Sequence, residues 1–457
     1  PRRPARRPPA VPPGPGPGGG TVAQALAPLV SQGKRVLVVE KGPRVDPHEM
    51  TGRELEMASA LYEEDGGFHT ADGTMTLAFG RGYGGSTVVY TGTSLLPPER
   101  VIRKWAVPGL EHADLVRRAR RYIEENNVHL LEPERLNENN RLFVEGCRAL
   151  GWEAEQFPIN VRGCVGASLC NLGCPNGAKM GTHQVQLPAA ERAGVEVVTR
   201  ADVRRIDPGT RRLTVRVTEK APGEKGRPGQ WPVGEHEVEA GIVVSAGGSI
   251  GSSALLLRSG FGAGLPRLGA GFTCHPAHIL VAEHDRPITN DVGHPKSFYL
   301  DRWEDGYVLE TCMYFPFITA KNMTGFGEEH GRLMKAFPRL QMILVLALDH
   351  AVPENRIEVS RGVFHRLRRA RSRNRHAGAV PAIFVLDGRR SRRLSGRHCR
   401  MPLPRTPVVC RTRDRGWRRD QTLGAESNLP RDSARPVRRI RGTRLREDRL
   451  DAPSRPR

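Results

Sequence analysis

Three groups of residues in this chain could do chemistry. Gly14, Gly16 and Gly19 stand in G-x-G-x-x-G order, and Glu40 follows the apolar run 36–39, VLVV. Such glycines permit a tight turn and let the backbone approach a pyrophosphate, with the following helix N-terminus facing the phosphates. An acid about 20 residues past the last glycine can accept hydrogen bonds from a ribose. A flexible Gly/Pro linker would also be rich in glycine, but it would not continue into a helix, an apolar strand and an acid in this order. The second group is Cys164, Cys170 and Cys174, in C-x5-C-x3-C spacing with His183 nearby. Three close thiols can hold an iron–sulfur cluster, or zinc if His183 completes the set. A glycine-rich loop with structural or disulfide-paired thiols fits the same spacing. The third group is the histidines. His275 lies in TCHPA and reads as structural or pocket-lining, whereas His365, His376 and His398 lie in arginine-rich sequence.

These residues need elements to hold them. A dinucleotide turn should follow a buried strand, yet RRPARRPPAVPP precedes Gly14. Proline cannot serve a central ladder, so the first strand is expected to be absent. Pro28 is expected to interrupt the helix after the glycines. Residues 51–66 read as an amphipathic helix. In residues 78–99, Gly80, Gly82, Gly84 and Gly85 suggest close backbone approach to something flat or anionic, with Ser86 and Thr87 as helix caps. Surface helices follow at 110–126 and 138–151, the second with Leu142, Phe143 and Cys147 inward. Residues 194–217 alternate as an antiparallel excursion. Residues 240–260 repeat the strand–glycine–helix order of the opening, and from 272 the chain is β-rich.

Composition sets further bounds. The net charge of +22 points to an anionic partner, but residues 362–457 hold 28 Arg, no Lys and 8 Asp plus Glu. With four more Arg in residues 1–8, the stretch 9–361 keeps 39 basic and 41 acidic residues, close to neutrality. An arginine-only tail without apolar periodicity reads as frame-shifted translation at both ends. A disordered basic tail, or a nucleic-acid-binding protein, is the alternative, and no nucleic acid is expected as partner. The domains expected are an aberrant or disordered N-terminus (1–10), a dinucleotide-binding domain (11–260) with a helical and Cys-rich insert (101–185), a partial substrate domain (261–361) and the tail (362–457). No run of 18 apolar residues suggests a membrane span. Neither a signal peptide nor a disulfide framework is evident, so the expected setting is cytoplasmic.

Taken in order, GPGPGGGTVA with VLVVEKG, RGYGGSTVVYTGT, CNLGCPNGAKMGT and VVSAGGSIGSSALLLRSG resemble the glucose–methanol–choline (GMC) family of flavin-dependent oxidoreductases. Within it, the chain is most similar to the branch of bacterial long-chain alcohol oxidases and cholesterol-oxidase-like enzymes, over residues 14–361. The resemblance implies an α/β fold: a doubly wound, Rossmann-like FAD-binding domain plus a truncated antiparallel-sheet substrate domain. It places Gly14, Gly16 and Gly19 at the pyrophosphate and Glu40 at the adenosine ribose. Gly84, Gly85, Ser86, Val89, Tyr90 and Thr91 would lie along the ribityl chain and isoalloxazine, Val203 at the adenine, and Ala246 and Gly247 over the dinucleotide. Many members carry Asn where this chain has Tyr90. Relatives that pass electrons to a cytochrome hold a cluster in a similar cysteine segment with different spacing. The implied reaction is oxidation of CH–OH groups by hydride transfer to FAD, on a small-molecule alcohol such as a long-chain or sterol alcohol. The implied acceptor is oxygen or a redox partner. The family's proton-abstracting His lies in a C-terminal segment that this sequence does not show after Gly362. The catalytic residue is therefore unassigned, and the chain as written is expected to be inactive.

Overall fold

Residues 36–39 are almost wholly buried, between 0 and 2 % exposed, because both faces of their strand are covered. The computed structural model describes residues 14–323 and 325–359, and the backbone of Ala10–Val11, His365–Arg368 and Phe384–Asp387. Strand Leu37–Val39 pairs in parallel with Glu196–Val198. Ala10–Val11 pairs in parallel with Ile242–Val243, and Gly14 N donates to Val39 O at 2.9 Å. That bond links the two parallel pairs, which are separate two-stranded sheets.

Two sequence expectations change here. The first strand is present, two residues long, with the prolines flanking the paired positions rather than occupying them. Pro28 starts a short second helix, Pro28–Ser31, after Pro17–Leu26 ends, so it costs no interior hydrogen bond.

Alternation along 36–39 decides the layers. Val36 and Val38 face helices Pro17–Leu26 and Gln186–Arg192 through Ala23, Leu187 and Ala190. Leu37 and Val39 face an antiparallel meander, Ala201–Ile206, Arg212–Val217 and Gly234–Glu239, and Leu255 of helix Gly248–Arg258. A strand buried on both sides must read as a continuous apolar run, as VLVV does. Glu196–Val198, expected in the excursion, belongs instead to the parallel pair with Leu37–Val39.

The second layer system is a six-stranded sheet in the order Phe384–Asp387, Ala277–Glu283, Leu340–Ala347, Tyr307–Thr311, Phe298–Arg302 and Glu155–Gln156. All neighbours run antiparallel except Phe384–Asp387, which is parallel to Ala277–Glu283. Helix Glu138–Ala149 covers one face with Phe143 and Cys147 against Leu300, Leu309 and Ile343. Helices Pro316–Asn322 and Gly327–Lys335 flank the other, where Met323 and Leu333 pack with Val281, Met342 and Leu344.

This sheet crosses the domain limits read from sequence. Glu155–Gln156 and helix Glu138–Ala149 come from the expected insert, and Phe384–Asp387 from the arginine-rich tail. His365–Arg368 pairs with Arg356–Val359. The rest of the tail and the first nine residues, to which the frame-shift expectation applied, lie outside the described residues. Buried amides tie helix to sheet: Asn139 Nδ2 donates to Cys312 O (2.9 Å) and Met342 O (3.0 Å), and its Oδ1 accepts from Met342 N (3.2 Å). No helix among the described residues is long and apolar enough to cross a membrane.

Candidate functional site

The site is a meeting of glycines from distant parts of the chain. Gly14, at φ +95°, lies so near the second strand–glycine–helix unit that a Cβ there would be 2.7 Å from Ala246 O and 3.0 Å from Gly247 Cα. A Cβ on Gly19 would fall 1.7 Å from Gly14 O, so only glycine closes this turn. A Cβ on Gly85 would meet Gly16 Cα at 2.9 Å. The segments expected at the pyrophosphate (Gly14, Gly16, Gly19), the flavin (Gly84, Gly85) and the dinucleotide cover (Ala246, Gly247) therefore share one place. Gly16 differs from Gly14 and Gly19, since a Cβ there, as on Gly18, would have nothing within 4 Å. It opens onto free space at the N-cap of helix Pro17–Leu26, where backbone N–H groups favour an anion.

Glu40 sits at the rim of this turn, 7 % exposed. Its Oε1 accepts from Gly42 N at 2.7 Å and Gly82 N at 2.9 Å. The two loops cross tightly, and a Cβ on Gly42 would lie 2.5 Å from Gly82 N. Burial raises the carboxyl to about 7 against the two N–H donors, which pull the other way. The carboxyl thus organises both loops.

Ser86 and Thr87 do not cap a helix. Gly84 takes a left-handed conformation, a short 3-10 turn Gly85–Val88 follows, and the hydroxyls tie loops instead. Ser86 Oγ accepts from Gly80 N (3.0 Å), and Thr87 Oγ1 donates to Gly84 O (2.7 Å). Thr182, which the sequence reading did not single out, lies 3.0 Å from the Thr87 hydroxyl and 3.2 Å from Pro15 O. The cysteine-rich segment thereby reaches the dinucleotide turn.

His183 packs beside Gly84, where an added Cβ would meet His183 Cβ at 2.7 Å. Burial, then the Lys179 charge, pushes its imidazole down to about 3, so it is neutral, and its buried Nδ1 has no partner among the described residues. Val89 is buried and Thr91 nearly so. Burial moves the Tyr90 hydroxyl up to about 12. Lys179 and His294, also missed from sequence, hold this segment by the carbonyls of Val88 and Thr91. Lys179 belongs to the GAKMGT run, whereas nothing in the sequence around His294 marked it.

Val203 is placed differently. Its side chain is packed in the core with Leu37, Val198 and Val215, so only its backbone is left to face a ligand. The cluster reading of Cys164, Cys170 and Cys174 gains no support. No set of three metal-ligating side chains converges among the described residues, and all three thiols are free. His183, its possible fourth ligand, lies beside Gly84 instead. His275 is exposed, and His376 and His398 lie outside the described residues, as does the side chain of His365.

Residues 58–277 match the family model of GMC oxidoreductases. Those residues form a GMC oxidoreductase domain. It is 32 % identical over 356 residues to an uncharacterised GMC-type oxidoreductase of Mycobacterium tuberculosis, covering 76 % of this chain and 54 % of that protein. It is 30 % identical over 267 residues to a long-chain-alcohol oxidase of Arabidopsis thaliana, over 56 % of this chain and 35 % of the relative. The chain thus spans about half, or less, of the length of these curated relatives. In fold it is similar to pyridoxine 4-oxidase from Mesorbium loti, with a TM-score of 0.52 at 16 % identity over 79 % of this chain and 75 % of that one. It is also similar to a formate oxidase variant from Aspergillus oryzae, with a TM-score of 0.50 at 12 % identity over 78 % and 75 % of the two chains.

The GMC fold implies FAD, and two observations test whether these residues fit it. Free space opens at Gly16 between three glycine segments. Two buried atoms without a partner among the described residues, His183 Nδ1 and Ser245 Oγ, belong to residues flanking those segments. A dinucleotide has the backbone-hugging pyrophosphate and the polar edges that such a cradle suits, so the residues fit.

Proposed function

We propose that this chain is the FAD-binding part of an oxidoreductase acting on CH–OH groups. The observation that carries the reading is the backbone contact of Gly14 with Ala246 and Gly247, and of Gly16 with Gly85, around open space at a helix N-terminus. In this reading Gly14, Gly16 and Gly19 hold the pyrophosphate, and the N–H groups of helix Pro17–Leu26 offset its charge. Glu40 accepts from the adenosine ribose. Gly84, Gly85 and Ser86 line the ribityl chain, and Val89, Tyr90 and Thr91 the isoalloxazine. Ala246 and Gly247 cover the dinucleotide, and the Val203 backbone borders the adenine. FAD supplies a hydride acceptor when bound.

The remaining task falls to protein groups: excluding water, orienting the alcohol and taking its hydroxyl proton. Neutral His183 and His294 border the flavin segment. Both His294 nitrogens are already engaged, so it is not free to take a proton, and the base stays unassigned. The substrate is a small alcohol, with long-chain alcohols favoured because an Arabidopsis relative bears the name long-chain-alcohol oxidase. Oxygen or a redox partner takes the electrons. A cytoplasmic setting agrees with six free thiols among the described residues. The domain division we favour has the dinucleotide unit around residues 11–260, with 138–156 given to the sheet domain.

The test is to purify the chain, titrate it with FAD by flavin fluorescence and then add alcohols of increasing chain length without oxygen. Saturable quenching supports the cradle, and bleaching of the bound flavin by an alcohol supports the reaction. A folded chain that leaves FAD fluorescence unchanged overturns the reading.

A further inference from the structure

Residues 88–91, Val-Val-Tyr-Thr, carry the side chains read above as facing the isoalloxazine. The two outer carbonyls of this strap are each held by a buried basic side chain from far along the chain. Lys179 Nζ donates to Val88 O at 2.7 Å, and His294 Nε2 lies 2.7 Å from Thr91 O. Lys179 is 2 % and His294 1 % exposed.

A carbonyl can only accept, so the His294 proton sits on Nε2, leaving Nδ1 to accept from Ser297 Oγ at 2.9 Å. Lys179 makes no ion pair among the described residues; its other partner is Cys170 O at 2.5 Å. The same ammonium lies 5.8 Å from the Tyr90 ring centroid. Burial lowers its pKa to about 8, so it is still mostly charged at neutral pH. Hydrogen bonds from a charged donor are roughly twice as strong as neutral ones. A buried lysine spent on two carbonyls, with no carboxylate, costs desolvation that a leucine would avoid. Its yield is a fixed distance between the cysteine-rich loop and the strap.

We propose that Lys179 and His294 are positioning residues that clamp the 88–91 strap at its two outer carbonyls, setting the plane against which the isoalloxazine rests before FAD binds. The inference rests on the reading that Val89, Tyr90 and Thr91 line that ring. Positioning of this kind matters because a displacement of about 1 Å at a reacting centre can cost on the order of 100-fold in rate.

The full chain and its K179M, K179R, H294A and H294Q variants would be compared by FAD titration, by visible circular dichroism of the bound flavin, and by thermal unfolding without FAD. K179M and H294A should each weaken FAD binding by about tenfold or more, as expected for losing hydrogen bonds to a fixed or charged donor, and should alter the flavin dichroism. K179R and H294Q, which keep a donor, should recover part of both. Folded K179M and H294A proteins with the parent's FAD affinity and dichroism would overturn the clamp. If the parent chain itself binds no FAD, the cofactor reading fails, which is a distinct result.

A measurement on the unaltered chain covers the case in which the variants do not fold. Amide exchange in residues 85–93 should already be slow without FAD. Fast exchange that slows only when FAD is added would show that the cofactor, not Lys179 and His294, orders the strap.

Discussion

Glu40→Gln separates the two tasks of the Glu40 carboxyl. Glutamine keeps an oxygen to accept from Gly42 N and Gly82 N, so the loop crossing survives, but it carries no charge. Burial raises the carboxyl from 4.5 to about 7, which is worth about 3 kcal/mol at 1.4 kcal/mol per tenfold change in proton affinity. Between those pH values the folded protein without FAD binds more protons at this site than the unfolded chain. Stability from Glu40 is therefore fully present below pH 4.5 and is lost as pH rises through about 7. Other groups add slopes of their own, so the informative quantity is the difference between the two proteins. Relative to the parent, E40Q should gain up to about 3 kcal/mol between pH 4.5 and 8, measured by urea unfolding at each pH.

FAD reverses the preference. A ribose hydroxyl donating to the carboxylate favours the ionised form, so the parent should bind FAD more tightly as pH rises from 6 to 8 and release protons on binding. E40Q should bind with little pH dependence and, at pH 8, about ten- to a hundredfold more weakly, the equivalent of about 1.5–3 kcal/mol for a hydrogen bond to a charged group. Calorimetry in buffers of different ionisation enthalpy counts the protons. Equal pH profiles and equal dissociation constants for the two proteins would refute the ribose role of Glu40.

Gly16→Val should leave the melting temperature of the protein without FAD nearly unchanged, because its Cβ meets nothing, yet abolish FAD quenching by filling the cradle. Gly19→Ala should instead yield little folded protein, since its Cβ would sit 1.7 Å from Gly14 O, as circular dichroism and melting would show. Asn139→Ala strands the Cys312 and Met342 carbonyls and the Met342 N–H, so urea unfolding should show a loss of about 3 kcal/mol or more. Burial pushes the Cys312 thiol up to about 12; iodoacetamide at pH 8 should spare it in the folded protein and label it after denaturation, as peptide mass spectrometry would read.

What could be read from sequence followed from whether a constraint was local. A turn that tolerates only glycine at Gly14 and Gly19 leaves its mark within a few residues, so the glycine spacing pointed to the turn that the structure contains. VLVV announced a strand covered on both sides for the same reason. Contacts made by one side chain across ninety residues or more leave no such mark. Lys179 reaches Val88 and His294 reaches Thr91, and neither lies in a pattern that spacing alone could decode. Proline misled in the opposite direction. It excludes a residue from a ladder only at the position it occupies, and at Ala10–Val11 the ladder needs two residues that are not proline. Ser86 and Thr87 misled because a hydroxyl after a glycine run suits a helix cap and a loop tie equally. The choice was made by Gly84, whose left-handed conformation opens a short 3-10 turn in place of a helix, and by Gly80, whose N–H donates to the Ser86 hydroxyl. The glycines therefore determine more than the space for a ligand. By bringing backbones together they decide which partners the neighbouring hydroxyls, Glu40 and His183 can find, and the residues least visible in sequence are those that hold the result in place.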